Sequence, residues 1–403
     1  MKRIIFFLLA ALLIAPGAAF AADYGAVLSG NYLLEDLGEP LEKTNRFIGI
    51  VSPWFSAPLG EMDFYFSAGA QADYADYRVG DKLLYVPELY RLEVSGTFDT
   101  LSFKAGRVFW QDPSRLIARG RFDGIDLSLD AGDIQLGAAV LYTGFLYYDT
   151  ANINVSPTDP KNYSADFDWS DFAETYFAPR RILAALYGDF PGFPSERGRL
   201  HAGLMAQFDL SDAEEMHIQY LFLRHTLAYK QFDMSLAGAA QMENTPRDGT
   251  RAGYAASVEF GWRFDGEIKD RLALGMKWAS GKGRDTAAFF PIVREDLGMA
   301  IKPWLSGMTM IYASYEARFA PTLSAELRGR YFLRTDTSTY FDPYIDTASY
   351  LLGAEAGAAL VWAPFSDLSF SLAGAAFFPK TGKAMRDDAP LRWAVSLGTI
   401  FSL

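Results

Sequence analysis

Arginine and lysine recur in this chain on one parity of segments whose alternate positions are oily. Arg328, Arg330 and Arg334 stand with Glu326 on one parity, opposite Leu323, Ala325, Leu327, Gly329, Tyr331 and Leu333. Lys104, Arg199, Arg271 and Lys277 take the same polar parity in their own segments, and Glu355 joins Glu326 as an acidic member. Arg107, Arg115, Arg119 and Arg121 cluster around a single connection. A guanidinium is always charged and offers a planar fork to a carboxylate or phosphate. A row of such groups along one face is chemistry for holding or passing anions. The competing reading is an internal network, with Glu326, Glu355 and Asp126 neutralising the row. Lining charge rather than net charge sets the preference of a pore, so anion selectivity is the expectation.

Other chemistries have less support. His217 and His225 share a face only if no turn separates them, and neither has a serine or acidic motif at triad-like spacing. Triads are defined by geometry, yet nothing here assembles one, so no enzyme is expected and His201 reads as a polar pore-lining residue. Asp166, Asp168 and Asp171 offer oxygen ligands. They lack the glycine and terminal glutamate of a calcium loop. No metal or cofactor is therefore expected. The absence of cysteine removes disulfide scaffolds and thiolate sites. A net charge of -12, from 37 basic and 49 acidic residues, speaks against a nucleic-acid partner.

The elements that must position these residues begin after an export signal. Lys2 and Arg3 precede an apolar run from Ile4 to Ile14, Pro16 and Gly17 break it, and Ala19-Phe20-Ala21 fits a cleavage site. The run is too short to cross ~30 Å of hydrocarbon as a helix. Residues 1–21 are therefore expected to be a cleaved signal peptide, leaving one domain, 22–403, with 35 basic and 49 acidic residues and a net charge of -14. No later stretch has the length of uninterrupted apolar sequence that a membrane helix needs.

The remaining chain has a period of two. Eighteen segments alternate in this way, near 24–33, 46–56, 62–74, 83–98, 101–109, 122–130, 133–143, 180–188 and 198–209, then 215–225, 227–241, 251–264, 269–279, 306–319, 322–335, 348–363, 366–378 and 391–403. Most have the ~9–11 residues that a tilted membrane strand requires. Tight turns such as Asp99-Thr100 and Ala320-Pro321 alternate with long connections near 34–45, 110–121, 144–179, 280–305, 335–347 and 379–390. Short turns on one rim and long loops on the other are the outer-membrane pattern. The stretch 189–197 is long for a turn and 210–214 short for a loop, which leaves the register around 180–227 open to a shift of one hairpin. Aromatics near segment ends, among them Trp54, Phe55, Phe98, Phe109, Trp110, Trp262, Trp278, Trp362, Phe377 and Phe378, suit the two membrane interfaces. The expectation is an all-β fold: a single antiparallel transmembrane β-barrel of about 18 strands, placed in the outer membrane.

Such a barrel encloses more than side chains alone can fill, so an aqueous channel is the default. The first strand begins next to the cleavage site, leaving no room for a plug domain. The loop from Leu146 to Pro179, with Asp149, Asp159, Asp166, Asp168, Asp171 and Glu174 among aromatics, reads equally as a constriction or a solvated external loop. The function expected is a porin passing small hydrophilic solutes, anionic or saccharide. The alternative is a non-conducting surface protein, an adhesin or structural anchor acting through that loop. Expected partners are outer-membrane lipid, the solutes, and the barrel-assembly machinery through the amphipathic terminal strand 391–403.

Lys104-Ala105-Gly106-Arg107, Arg121-Phe122-Asp123-Gly124, and Lys277-Trp278-Ala279-Ser280-Gly281 followed by Phe289-Phe290-Pro291 and Gly298 carry a resemblance. Over residues 101–403 the chain resembles the alginate-export family of outer-membrane proteins. The resemblance implies an eighteen-stranded barrel, Arg107 and Arg121 as pore residues, and 280–305 as an external loop near the pore mouth.

Overall fold

A computed structural model describes residues 22–403, apart from 39–42, 78–79, 157–158, 160–162, 164–166, 211–214, 247–248 and 346–347. The proposed signal peptide, 1–21, and Asp166 lie outside the described residues. Eighteen strands follow in chain order: β1 (Asp23–Asp36), β2 (Lys43–Leu59), β3 (Met62–Tyr77), β4 (Gly80–Phe98), β5 (Leu101–Gln111), β6 (Arg119–Ala131), β7 (Ile134–Tyr142), β8 (Arg181–Pro191), β9 (Gly198–Asp209), β10 (His217–Tyr229), β11 (Phe232–Thr245), β12 (Gly249–Arg263), β13 (Lys269–Ala279), β14 (Met308–Ala320), β15 (Leu323–Arg334), β16 (Leu351–Trp362), β17 (Leu368–Phe378) and β18 (Arg392–Ser402). Each pairs antiparallel with its neighbours in sequence, and β18 pairs with β1 from Trp393↔Asp36 to Ser402↔Val27. The sheet is thus a closed barrel with no free end strand.

The alternation sets the two faces. Leu327 is 58% exposed and faces outward, while Glu326, Arg328 and Arg330 line an internal cavity. Leu204 and Leu274 are likewise exposed on the outer face. Short turns, several of them two residues long, close one rim. Asp99 (φ 53°) and Gly132 (φ 77°) take the left-handed conformation that such turns require between twisted strands. The long connections gather at the other rim. The hairpin around 180–227 keeps its place, with β8 and β9 joined at the short-turn rim. One turn differs: β10 runs on to Tyr229 and turns at Lys230-Gln231, because Leu227 and Tyr229 continue the alternation beyond the expected break near 226.

The interior is not simply aqueous. An apolar core that includes Trp110, Phe122, Leu183, Tyr220, Phe289, Phe332 and Phe377 joins the inner wall to loops folded inward. Trp110 and Phe377 therefore do not mark the membrane rims. Both are buried inside, where inward loops need apolar partners. Trp54 stacks on Tyr65 at 6.1 Å. No helix among the described residues is long and apolar enough to cross a membrane.

Candidate functional site: a bore narrowed by inward loops

Three connections meet inside the barrel. The first, 112–118, is a tight turn built on Asp112. This fully buried carboxylate accepts the amides of Ile117 (3.1 Å) and Ala118 (2.9 Å) and the hydroxyl of Ser114. Burial raises the Asp112 carboxyl above the usual carboxylate range despite these donors. The turn holds Arg115 at φ 62°, a conformation that costs a non-glycine residue ~1–3 kcal/mol. The second, 280–307, is tied to the first by Ile292 N to Ile117 O at 2.7 Å. The third, 143–180, joins them through Asn154 N to Ile292 O (2.8 Å) and Asn154 Nδ2 to Pro291 O (3.0 Å). The backbone of each loop thus finds its hydrogen bonds in another loop rather than in water.

The β5–β6 hairpin follows the same inward path. β5 pairs with β4 only as far as Arg107↔Leu92, then continues to Gln111 with β6 alone. Phe109, Gln111, Arg119 and Arg121 have the parity of outward-facing Leu101. They nevertheless line internal cavities together with Lys277 from β13. The end of the hairpin therefore turns into the bore. Its other face, with Trp110 and Phe122, packs toward Tyr187 on β8.

Two cavities border these loops. One, of about 490 Å³, is lined by the cations Arg115, Arg119, Arg224, Lys277, Arg328 and Arg330, and by the acids Glu259, Glu295, Asp296, Glu316 and Glu326. Arg115 and Arg119 lack an ion-pair partner among the described residues, and Arg224 bonds only Ser235 Oγ at 3.0 Å. The second cavity, about 370 Å³, is more apolar and is bordered by Arg121, Glu88, Leu89 and Phe109. Burial raises the carboxyl of Asp296, with Lys302 and Arg294 acting against the rise.

The residues singled out from sequence occupy different kinds of place. Arg328 pairs with Glu326 beside the larger cavity. Lys277 borders both cavities, 4.0 Å from Glu295. Arg330 contacts Glu355, and buried Glu355 accepts the amides of Met299, Ala300 and Ile301 at 3.0, 2.9 and 3.2 Å. Buried Arg334 donates to Ser349 O, holding the 335–350 loop. Arg107 is only 5% exposed, forks onto Asp123 with two 2.8 Å bonds, and donates to the carbonyls of Leu89 and Phe145. Arg121 lies 3.8 Å from Glu88 and over the Tyr90 ring. Arg271 bridges Asp233 (2.6 Å) and Glu259 (2.7 Å). Arg199 holds Asp189, with His201 nearby at 3.5 Å. Lys104 stands in register with Asp126, whose Oδ1 takes the Tyr187 hydroxyl at 2.5 Å.

Arg224, Glu259 and Asp296 did not stand out in the sequence. Arg224 shares its parity with Ile218, Tyr220 and Phe222, all buried inside, so β10 is apolar on both faces and shows no polar row. Glu259 on β12 and Asp296 in a loop could be found only by their spatial neighbours. His217 and His225 lie together on β10, where His217 Nε2 meets Glu215 at 3.0 Å. No metal-holding cluster occurs among the described residues.

No protein-family model and no curated protein matches the chain. Solved structures do match in fold. OccK5 (OpdH) of Pseudomonas aeruginosa superposes with a TM-score of 0.60 at 12% identity, covering 95% of this chain and 98% of its own. OccK2 (OpdF) of the same organism, in complex with glucuronate, gives 0.59 at 16%, with coverage of 95% and 98%. OpdK of Pseudomonas aeruginosa, solved with vanillate, gives 0.59 at 13% with the same coverage. These likenesses show a shared eighteen-strand barrel. The alginate-export resemblance finds no support among them.

Proposed function

We propose that this chain is an outer-membrane channel passing small hydrophilic anions through a bore narrowed by its own loops. The observation that carries the reading is the cavity of about 490 Å³, where Arg115, Arg119 and Arg224 have no acidic partner within ion-pair distance among the described residues. Such groups meet a passing carboxylate with charge-assisted hydrogen bonds. The neighbouring acids limit how long it stays, and a conducting site must bind weakly enough to release its solute. Solved neighbours of the same fold were crystallised with glucuronate and vanillate, both small carboxylates, which supports this solute class over a polysaccharide. Lipid surrounds the exposed apolar rows of the wall, and the terminal strand β18 serves as the recognition element for barrel assembly.

A non-conducting surface role has less to rest on. Tyr147, Phe167 and Tyr176 of the 143–180 loop are buried against Val86 of β4 rather than presented to a partner. Reversal potential across a planar bilayer under a salt gradient tests the channel reading. Anion preference that weakens in Arg115→Ala, Arg119→Ala and Arg224→Ala supports it, whereas a folded barrel without conductance refutes it.

A further inference from the structure

The barrel wall is incomplete along one edge near the long-loop rim. β4 pairs with β3 along most of its length but with β5 only over Leu92–Phe98. Above Leu92 the second edge of β4 has no strand beside it among the described residues, because β5 has turned into the bore. Alternate residues Tyr85, Pro87 and Leu89 direct their carbonyls to this edge. Each takes a side-chain donor in place of a strand: Trp169 Nε1 at 3.1 Å, Tyr176 OH at 2.8 Å and Arg107 Nη1 at 2.8 Å. Pro87 suits an edge, since it has no N–H to leave unpaired.

The seam joins two unlike environments. Behind it lies the cavity of about 370 Å³, with Leu89 of β4 and Phe109 of β5 on its two sides and Arg121 at its border. In front of it Tyr85, Phe145 and Trp169 are each 60% exposed, an apolar group at the level of the wall. We propose that this seam is a lateral portal and that the cavity binds a single-chain amphipathic carboxylate. The charged head rests on Arg121, and the chain passes Leu89 and Phe109 toward the lipid. The cavity is at the small end of the ~300–1,000 Å³ range of ligand sites. This inference does not depend on the bore being anion-selective.

Dodecanoate uptake into liposomes carrying the refolded barrel tests it. The chain has no native cysteine, so thiols introduced by Tyr85→Cys and Trp169→Cys can be joined selectively with a cleavable bismaleimide. Joining them should lower dodecanoate influx severalfold, cleavage should restore it, and chloride conductance should stay constant. Influx that ignores the cross-link, or conductance that falls in step with influx, would overturn the portal. Arg121→Gln should weaken dodecanoate binding by at least about tenfold, equivalent to 1.4 kcal/mol, and leave dodecanol binding unchanged. Equal loss for both would remove the head-group assignment. A barrel that takes up dodecanoate through the seam yet conducts no ions would refute the anion channel and keep the portal.

Discussion

Arg330 on β15 and Glu355 on β16 face each other across the ladder, and their contact holds a loop inside the bore. Glu355 presents its oxygens to three successive amides of the 280–307 segment while Arg330 balances its charge. Charge-assisted hydrogen bonds from several backbone N–H groups to one carboxylate tie that stretch of chain to the wall. The pair thus acts as an anchor as much as a lining, and it links the charge pattern of the wall to the width of the channel.

Removing the carboxylate should therefore widen the bore. Glu355→Ala leaves the amides of Met299, Ala300 and Ile301 without their acceptor and Arg330 without its partner. Loss of one partner of a buried pair costs ~3–5 kcal/mol. Single-channel recording should show higher conductance with more flicker, and heat-modifiability on gels should show a lower melting temperature. Unchanged conductance would mean that the loop is held elsewhere.

A second buried pair gives a purely structural comparison. Arg392 and Asp342 are each nearly inaccessible and share two bonds of 2.6 and 2.9 Å, fixing the 335–350 loop to β18. Asp342→Ala should destabilise the barrel by ~3–5 kcal/mol, and the double change Arg392→Met with Asp342→Leu should recover much of that loss. Urea titration followed by tryptophan fluorescence distinguishes the two variants.

The Asp112 turn places Arg115, so the two residues should share a phenotype. Asp112→Ala leaves two amides unsatisfied at ~1–3 kcal/mol each and releases Arg115 from its left-handed conformation. The reversal potential of Asp112→Ala should shift in the same direction as that of Arg115→Ala. Opposite or absent shifts would separate the turn from the selectivity.

Acidification should strengthen anion preference. Burial raises the Asp296 carboxyl, so it gains its proton at a higher pH than an ordinary aspartate near ~3.9. Protonation removes one negative charge from the lining of the larger cavity. Preference should rise as pH falls from neutral through that ionisation, and Asp296→Asn should flatten the rise. Reversal potentials measured from pH 7 downward provide the check.

The wall was legible in the sequence because a period of two leaves a mark on every strand. Leu327 against Arg328, and Leu274 against Arg271, record which face points outward and which meets the interior. All eighteen strands lie where the alternation placed them, within a few residues at their ends. The interior was less legible, since loops folded inward supply a second apolar surface. Phe377 and Trp110 are buried there although their positions near strand ends suited a membrane rim. Arg107 illustrates the limit for charge. Its type and place indicated a pore cation, but its role as a seam donor follows from β5 leaving β4, which no local pattern announces.

The most direct measurement is the reversal potential of refolded residues 22–403 in a planar bilayer under a salt gradient, compared with Arg115→Ala, Arg119→Ala and Arg224→Ala combined. Steady openings with anion preference, lost in the triple variant, are the expected result. Cation preference in the unaltered barrel, or anion preference that survives loss of all three arginines, would contradict an arginine-selected bore.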